Sequence, residues 1–256
     1  MPQDFHVIKV IDMKTALFLA IVLISGGLAG TIHGLANLVI VEPYLDVAIG
    51  IENQHLFASG EEKDTSEFRA EYDSYRYWQK GGQVLAGAIL GTSTGALFGI
   101  VYAYSRNSLP GRHDLKKTFT LAAIMWLTIY FIPFLKYPAN PPTVGDPETV
   151  VLRSILYLSF IAISGFGALG FYQIYKKLQS RKKITAFVGY AIFIGIAFVM
   201  MPVNPDEITA PMDLVNQFRI TSVIAVSIFW VFLAAILGVF WHKLQPQTRT
   251  SLVENE

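Results

Sequence analysis

The sequence predicts an all-α, polytopic membrane protein of about six transmembrane helices, paired as three helical hairpins with both termini on the cytoplasmic side. Three observations predict it. Of the 256 residues, 53% are hydrophobic and 15% charged, against about 25% charged in a soluble domain. The charges crowd between six apolar stretches, each close to the ~20 residues that cross a hydrocarbon core of ~30 Å. Basic and acidic connections also alternate along the chain, and an excess of Lys and Arg marks the cytoplasmic side. The chain 1–256 is therefore read as one transmembrane domain, multi-pass in the cell membrane and surrounded by lipid.

The first span is expected at 15–41, after Lys9 and Lys14. It is too long for the ~7–15-residue apolar core of a signal peptide, so a retained helix is expected rather than cleavage near Ala29. Gly26, Gly30 and Gly34 recur every fourth residue, as do Gly87, Gly91, Gly95 and Gly99 in the second span, 81–104. Small residues at this spacing let two helix backbones approach closely, so spans one and two are expected to pack tightly. His33 and Asn37 share a face of the first span, with Glu42, Pro43 and Asp46 at its outer end. Ionisable groups at membrane depth are costly and are functional candidates.

The segment 42–80 reads as a long acidic extracytoplasmic loop, with Glu61, Glu62, Asp64, Glu67, Glu71 and Asp73. An acidic rim attracts cations, although a plain solvated loop has the same composition. His55 with Glu52 is weighed as a capture site against a solvated loop histidine, the commoner case.

Arg106, Arg112, Lys116 and Lys117 then form a basic loop before the third span, 118–135. That span ends in Pro138-Ala139-Asn140-Pro141, followed by Asp146, Glu148 and then Arg153 in the fourth span, 150–175. A second basic loop holds Lys176, Lys177, Arg181, Lys182 and Lys183. The fifth span, 184–201, repeats the earlier ending as Pro202-Val203-Asn204-Pro205, followed by Asp206, Glu207, Asp213 and Arg219. The sixth span, 220–241, leads to Lys243 and Arg249. Prolines end helices and Asn-Pro starts turns, yet the same acid-then-Arg sequel in two copies points to an internal repeat. Transporters built from repeats place their sites at repeat interfaces with broken helices. Arg153 and Arg219 are expected to pair with acidic residues of these turns, Asp146 and Glu148 among them. Met200 and Met201 are weighed as soft ligands and read as apolar packing.

The exclusions are sharper. With no cysteine, disulfides, thiolate metal sites and cysteine nucleophiles are ruled out. A net charge of +1 gives no case for nucleic acid. The sequence lacks a Walker A loop and a His-Glu-x-x-His motif, and a Gly-x-Ser-x-Gly elbow. No catalysis and no resident cofactor are expected. Imidazole together with carboxylate suits cobalt, nickel or zinc, so the candidate metal ligands are His33, Glu42, Asp46, Asp206 and Glu207.

Several segments together resemble one family. They are Gly26-Gly27-Leu28-Ala29-Gly30 with His33; Glu42-Pro43 with the stretch from Ala48 and Ile49 to Glu52; Pro133 to Pro142 with Gly145 to Thr149 and Arg153; and Asn204 to Glu207 with Gln217, Phe218, Arg219 and Trp230. Across about 15–241 the chain is similar to CbtA proteins, cobalt transporter subunits often paired with CbtB, a small one-span protein with a His-rich end. The resemblance implies a cobalt or nickel transporter subunit. A different class of function weighed beside it is a non-catalytic accessory subunit of a larger membrane complex.

Overall fold

The computed structural model describes residues 14–142 and 144–246. Among the described residues, six helices are long and apolar enough to cross a membrane. They are α1 (Thr15–Ser59), α2 (Ser66–Ser105), α3 (Asp114–Lys136), α4 (Pro147–Lys177), α5 (Ser180–Met200) and α6 (Met212–Leu244). Lys9 and Arg249 lie outside the described residues.

The glycine seam forms as the spacing predicts. The two rows interlock, so that a Cβ at Gly30 would meet the Gly87 carbonyl oxygen, and one at Gly95 would lie 2.5 Å from Gly26 Cα. At such contact, dispersion and backbone complementarity hold the helices together without any hydrophobic drive from lipid.

The remaining helices form a row. α1 sits between α2 and α6, α6 also packs on α3, α3 reaches α4 through its C-terminal half, and α5 packs chiefly on α4. Ile21, Val22, Phe98, Tyr102, Leu233, Leu237 and Trp241 fill the largest core, between α1, α2, α3 and α6 near the basic end. A smaller cluster of Tyr137, Leu156 and Phe160 lies toward the acidic end. On α5, Ala186 is buried while Ile184, Phe187, Ile192 and Val199 are exposed. Apolar surface of this kind at span depth suits acyl chains as its solvent.

The segment 42–80 departs from expectation. It is helix apart from the turn at 60–65, so the acidic segment is a helical projection and not a loop. Charge reports contact with water but says nothing of local conformation. Pro43 does not end α1 because a π-helical turn, Asn37–Val41, precedes it. Proline lacks an N–H and clashes with the carbonyl four residues back, and the wider π turn absorbs that mismatch. α3 uses the same device, with a π turn at Trp126–Phe131 just before Pro133. Gly60, at φ 79°, ends the outgoing helix in the left-handed conformation. Thr65 starts the return by accepting the Phe68 N–H at 3.1 Å.

Exposed aromatic residues indicate where the bilayer lies. Tyr77 and Trp78 sit toward one end of α2 and Tyr104 at the other. At ~1.5 Å per residue the two girdles are about 39 Å apart, close to the ~40–45 Å of a bilayer with its headgroups. The 18 residues Glu42–Ser59 then extend about 27 Å farther.

Candidate functional site

Each outward helix meets its turn differently, and the acid–Arg pairs follow from that. In the first hairpin the carboxylates and the Arg belong to the same hairpin. Arg76 donates to Glu42 and, at 2.7 Å, to Asp46. Lys80 adds a bond to Asp46 at 2.8 Å, and Gln83 one to Glu42 at 2.9 Å. The side chains of Arg76 and Glu42 are each 7% exposed. In this arrangement Glu42 and Asp46, both expected as metal ligands, neutralise an Arg.

In the other two hairpins the partners are exchanged. Arg153, on the helix that returns from the first Pro-x-Asn-Pro turn, lies 2.8 Å from Asp206 of the second turn. Their contact is an ion pair without hydrogen-bond alignment. The Arg153 Nε–H points to the Thr149 hydroxyl, which itself donates to Asp206 at 2.7 Å. Arg219, on the helix that returns from the second turn, donates to Asn140 Oδ1 at 2.7 Å and to the Ala139 carbonyl at 3.3 Å in the first turn. Asp146 and Glu148 are thus not the carboxylate partners expected. The Asp146 side chain accepts the Glu148 N–H and caps the start of α4, its carbonyl accepts from Arg153, and Glu148 is exposed. The sequence could not show this exchange, because it does not say which hairpins lie side by side.

Further contacts tie the two turns. Lys136 donates to the Phe198 carbonyl at 2.7 Å, answering the negative end of α5. The Tyr137 hydroxyl donates to the Pro202 carbonyl at 2.6 Å. Burial pushes the Tyr137 phenol above its usual value, so it remains a donor. Gly145 has φ 111°, and a Cβ there would strike the Asp206 carboxylate and come within 2.7 Å of Arg153 Nη1. Glycine is thus needed at 145 for both its conformation and the space beneath the ion pair.

A cavity of about 610 Å³ opens beside this clasp. Asn140 and Asn204, the two asparagines of the repeated motif, both line it, with Arg153, Ser154, Tyr157 and Ser222. Non-helical backbone at membrane depth survives where it lines a cavity or is buried in protein. Amide oxygens, hydroxyls and Pro-rich carbonyls make the wall capable of taking over part of a cation's hydration shell.

His33 lies next to this level of the bundle on the α1–α6 interface. Its Nδ1 is 3.0 Å from the Ala225 carbonyl, and Asn37 Nδ2 is 3.3 Å from its Nε2. A donor at Nδ1 and an acceptor at Nε2 satisfy both contacts, which is the neutral tautomer. Metal-bound histidines characteristically donate their second N–H to a carbonyl in this way. Val226, the residue after Ala225, lines the cavity. Asp206 is held at the clasp and Glu207 is exposed beside it. Met201 packs against the smaller core cluster and Met200 is 79% exposed, in keeping with an apolar role. Among the described residues, no three His or carboxylate side chains converge as a ready-made metal site.

Comparison with known proteins gives one finding. The family model described as "Probable cobalt transporter subunit (CbtA)" matches residues 15–242. No curated protein and no solved structure matches.

Proposed function

Because the chain belongs to the CbtA family of cobalt transporter subunits, a set of multi-pass cell-membrane proteins concerned with transport, we propose that it conducts a divalent cation, cobalt or nickel, along the seam between its second and third hairpins. The observation that supports this most is the meeting of both Pro-x-Asn-Pro breaks at one cavity, largely apolar but carrying both motif asparagines on its wall. Both termini are assigned to the cytoplasm by the distribution of Lys and Arg, so the acidic projection and the clasp face outward.

The path follows from charge. A cation is drawn to the acidic outer end and to Glu207. At the clasp it competes with Arg153 for Asp206, because one carboxylate cannot neutralise both. Asn140 Oδ1, on leaving Arg219, and Asn204 Oδ1, on leaving the Asp206 N–H, replace part of its water. His33 Nε2, released from Asn37, supplies the nitrogen ligand favoured by cobalt and nickel over magnesium and calcium. Glu42 and Asp46 join the ligand set only after leaving Arg76, and we assign them first to holding the hairpin. As a subunit the chain has a partner. We assign to that role a small one-span protein with a His-rich end, which would add ligands to the incomplete set here.

The test is cobalt accumulation by cells in which the chromosomal copy carries Asn140→Ala/Asn204→Ala. Uptake is expected to fall at least about tenfold, the loss that follows from removing one interaction of ~1.4 kcal/mol, with the protein still present in the membrane at normal level. Wild-type uptake in the double variant would rule out the cavity as the path.

A further inference from the structure

The connection between α4 and α5 carries an uncompensated charge. Lys176, Lys177, Arg181, Lys182 and Lys183 fall within eight residues, and no Asp or Glu occurs anywhere from 154 to 205. Among the described residues, none of the five joins an ion pair. The other basic loop differs, because Asp114 neutralises its Arg106. We infer that the α4–α5 connection binds the headgroup of an anionic phospholipid, with Lys176 and Lys183 as its fixed cations and the Tyr172 and Tyr175 hydroxyls as hydrogen-bond donors to the phosphate.

Two of the five cations are held in place by aromatic rings. The Lys176 ammonium lies over the Tyr172 ring, 5.1 Å from its centroid, and the Lys183 ammonium over the Tyr175 ring at 4.6 Å. The two rings stack with centroids 6.4 Å apart, and Phe187 packs edge-on against Tyr175. One lysine of α4 and one of α5 are thus fixed at a single aromatic pair. A side chain already ordered in this way loses little further freedom when it binds a ligand. A phenol hydroxyl both donates and accepts, so each ring adds a donor beside a cation.

The surroundings favour a lipid over a free phosphate. α5 is the end of the helix row and packs chiefly on α4, so lipid reaches the connection from the side. Ile174, Ile184 and Phe187 expose apolar surface next to the cations, which gives acyl chains a place where the phosphate is held. Clusters of Lys and Arg beside a span attract anionic headgroups, each cation strengthening the contact about fivefold near the surface. Orienting the hairpin in the membrane also uses positive charge, but it needs neither the tyrosine hydroxyls nor a fixed ammonium. The site lies at the other end of the bundle from the clasp and stands whether or not the chain conducts a cation.

The experiment titrates phosphatidylglycerol, and phosphatidylcholine in parallel, into the purified full-length chain in detergent, with bound lipid read by native mass spectrometry. Wild type is expected to prefer phosphatidylglycerol. Lys176→Gln/Lys183→Gln leaves three cations to orient the hairpin and is expected to weaken that binding about 30-fold, two steps of about fivefold. Tyr172→Phe/Tyr175→Phe keeps every charge and both ring faces and is expected to weaken it about tenfold, the equivalent of ~1.4 kcal/mol. Arg112→Gln/Lys116→Gln removes the same charge from the other basic loop and is expected to leave the titration unchanged. Equal binding of the two lipids by wild type overturns the inference. So does an Arg112→Gln/Lys116→Gln variant as weak as Lys176→Gln/Lys183→Gln, or a tyrosine variant that binds like wild type, since either reduces the patch to net charge. Displacement of the lipid by millimolar inorganic phosphate would make this a soluble-phosphate site and overturn the lipid assignment.

Discussion

Gly91→Ala is expected to cost the folded protein about 3 kcal/mol, the upper end for forcing extra volume into a packed interface. A Cβ at this position would lie 2.5 Å from both the Gly26 carbonyl oxygen and Gly30 Cα, and 2.8 Å from Gly30 N. All three atoms are backbone, so no rotamer change on α1 relieves the clash. The two helices must separate along the whole seam, and Gly91→Leu is expected to prevent stable assembly. Gly82→Ala is the control, since nothing lies within 4 Å of a Cβ there. It replaces a helical glycine with a better helix former and is expected to be neutral or to add up to ~1 kcal/mol. Thermal unfolding in detergent reads the contrast. For a chain of this size ~3 kcal/mol corresponds to a fall of about 6–12 °C in Tm. A Gly91→Ala variant as stable as Gly82→Ala would show that the seam is not the contact described.

Arg76→Ala is expected to destabilise by about 3–5 kcal/mol, the usual result of removing one partner of a buried ion pair. Glu42, with its side chain 7% exposed, would keep its charge without the guanidinium and retain the Gln83 bond alone. Asp46 loses less, because it is 43% exposed and still has Lys80. The loss therefore falls on Glu42. Arg76→Met/Glu42→Leu is expected to recover more than half of it, because replacing both charges by apolar groups of similar volume removes the desolvation cost as well as the attraction. Denaturation of the single and double variants measures this. A double variant no better than Arg76→Ala would mean that the Arg acts through something other than Glu42.

These two contacts differ in how far the sequence announces them. The glycine seam is legible because small residues every fourth position in two adjacent spans have one efficient packing solution, and the rows Gly26–Gly30–Gly34 and Gly87–Gly91–Gly95 adopt it. Arg76 is visible as a charge beyond the first turn, but its partners become clear only when 42–80 is seen as two facing helices. The charged residues there read as loop because water contact and loop conformation have the same compositional mark. The π turns before Pro43 and Pro133 leave no trace in hydropathy. The repeated Pro-x-Asn-Pro signal marks the right place, yet its exchange of partners depends on α3, α4 and α5 lying as neighbours. Arg219 illustrates the point: its nearest acids in sequence are Glu207 and Asp213, and its partner is the Asn140 amide of another hairpin. His33 stands out in the sequence for its cost at membrane depth. Its orientation by the Ala225 carbonyl, the feature that leaves Nε2 as its acceptor, is a tertiary fact.

Transport by the proposed route requires cobalt to pass His33 and Asp206. The most direct measurement is cobalt accumulation in cells carrying wild type, His33→Ala or Asp206→Ala/Glu207→Ala at matched membrane levels. Wild type is predicted to accumulate cobalt and both variants to lose most of it. Equal accumulation in all three would show that cobalt does not take this route.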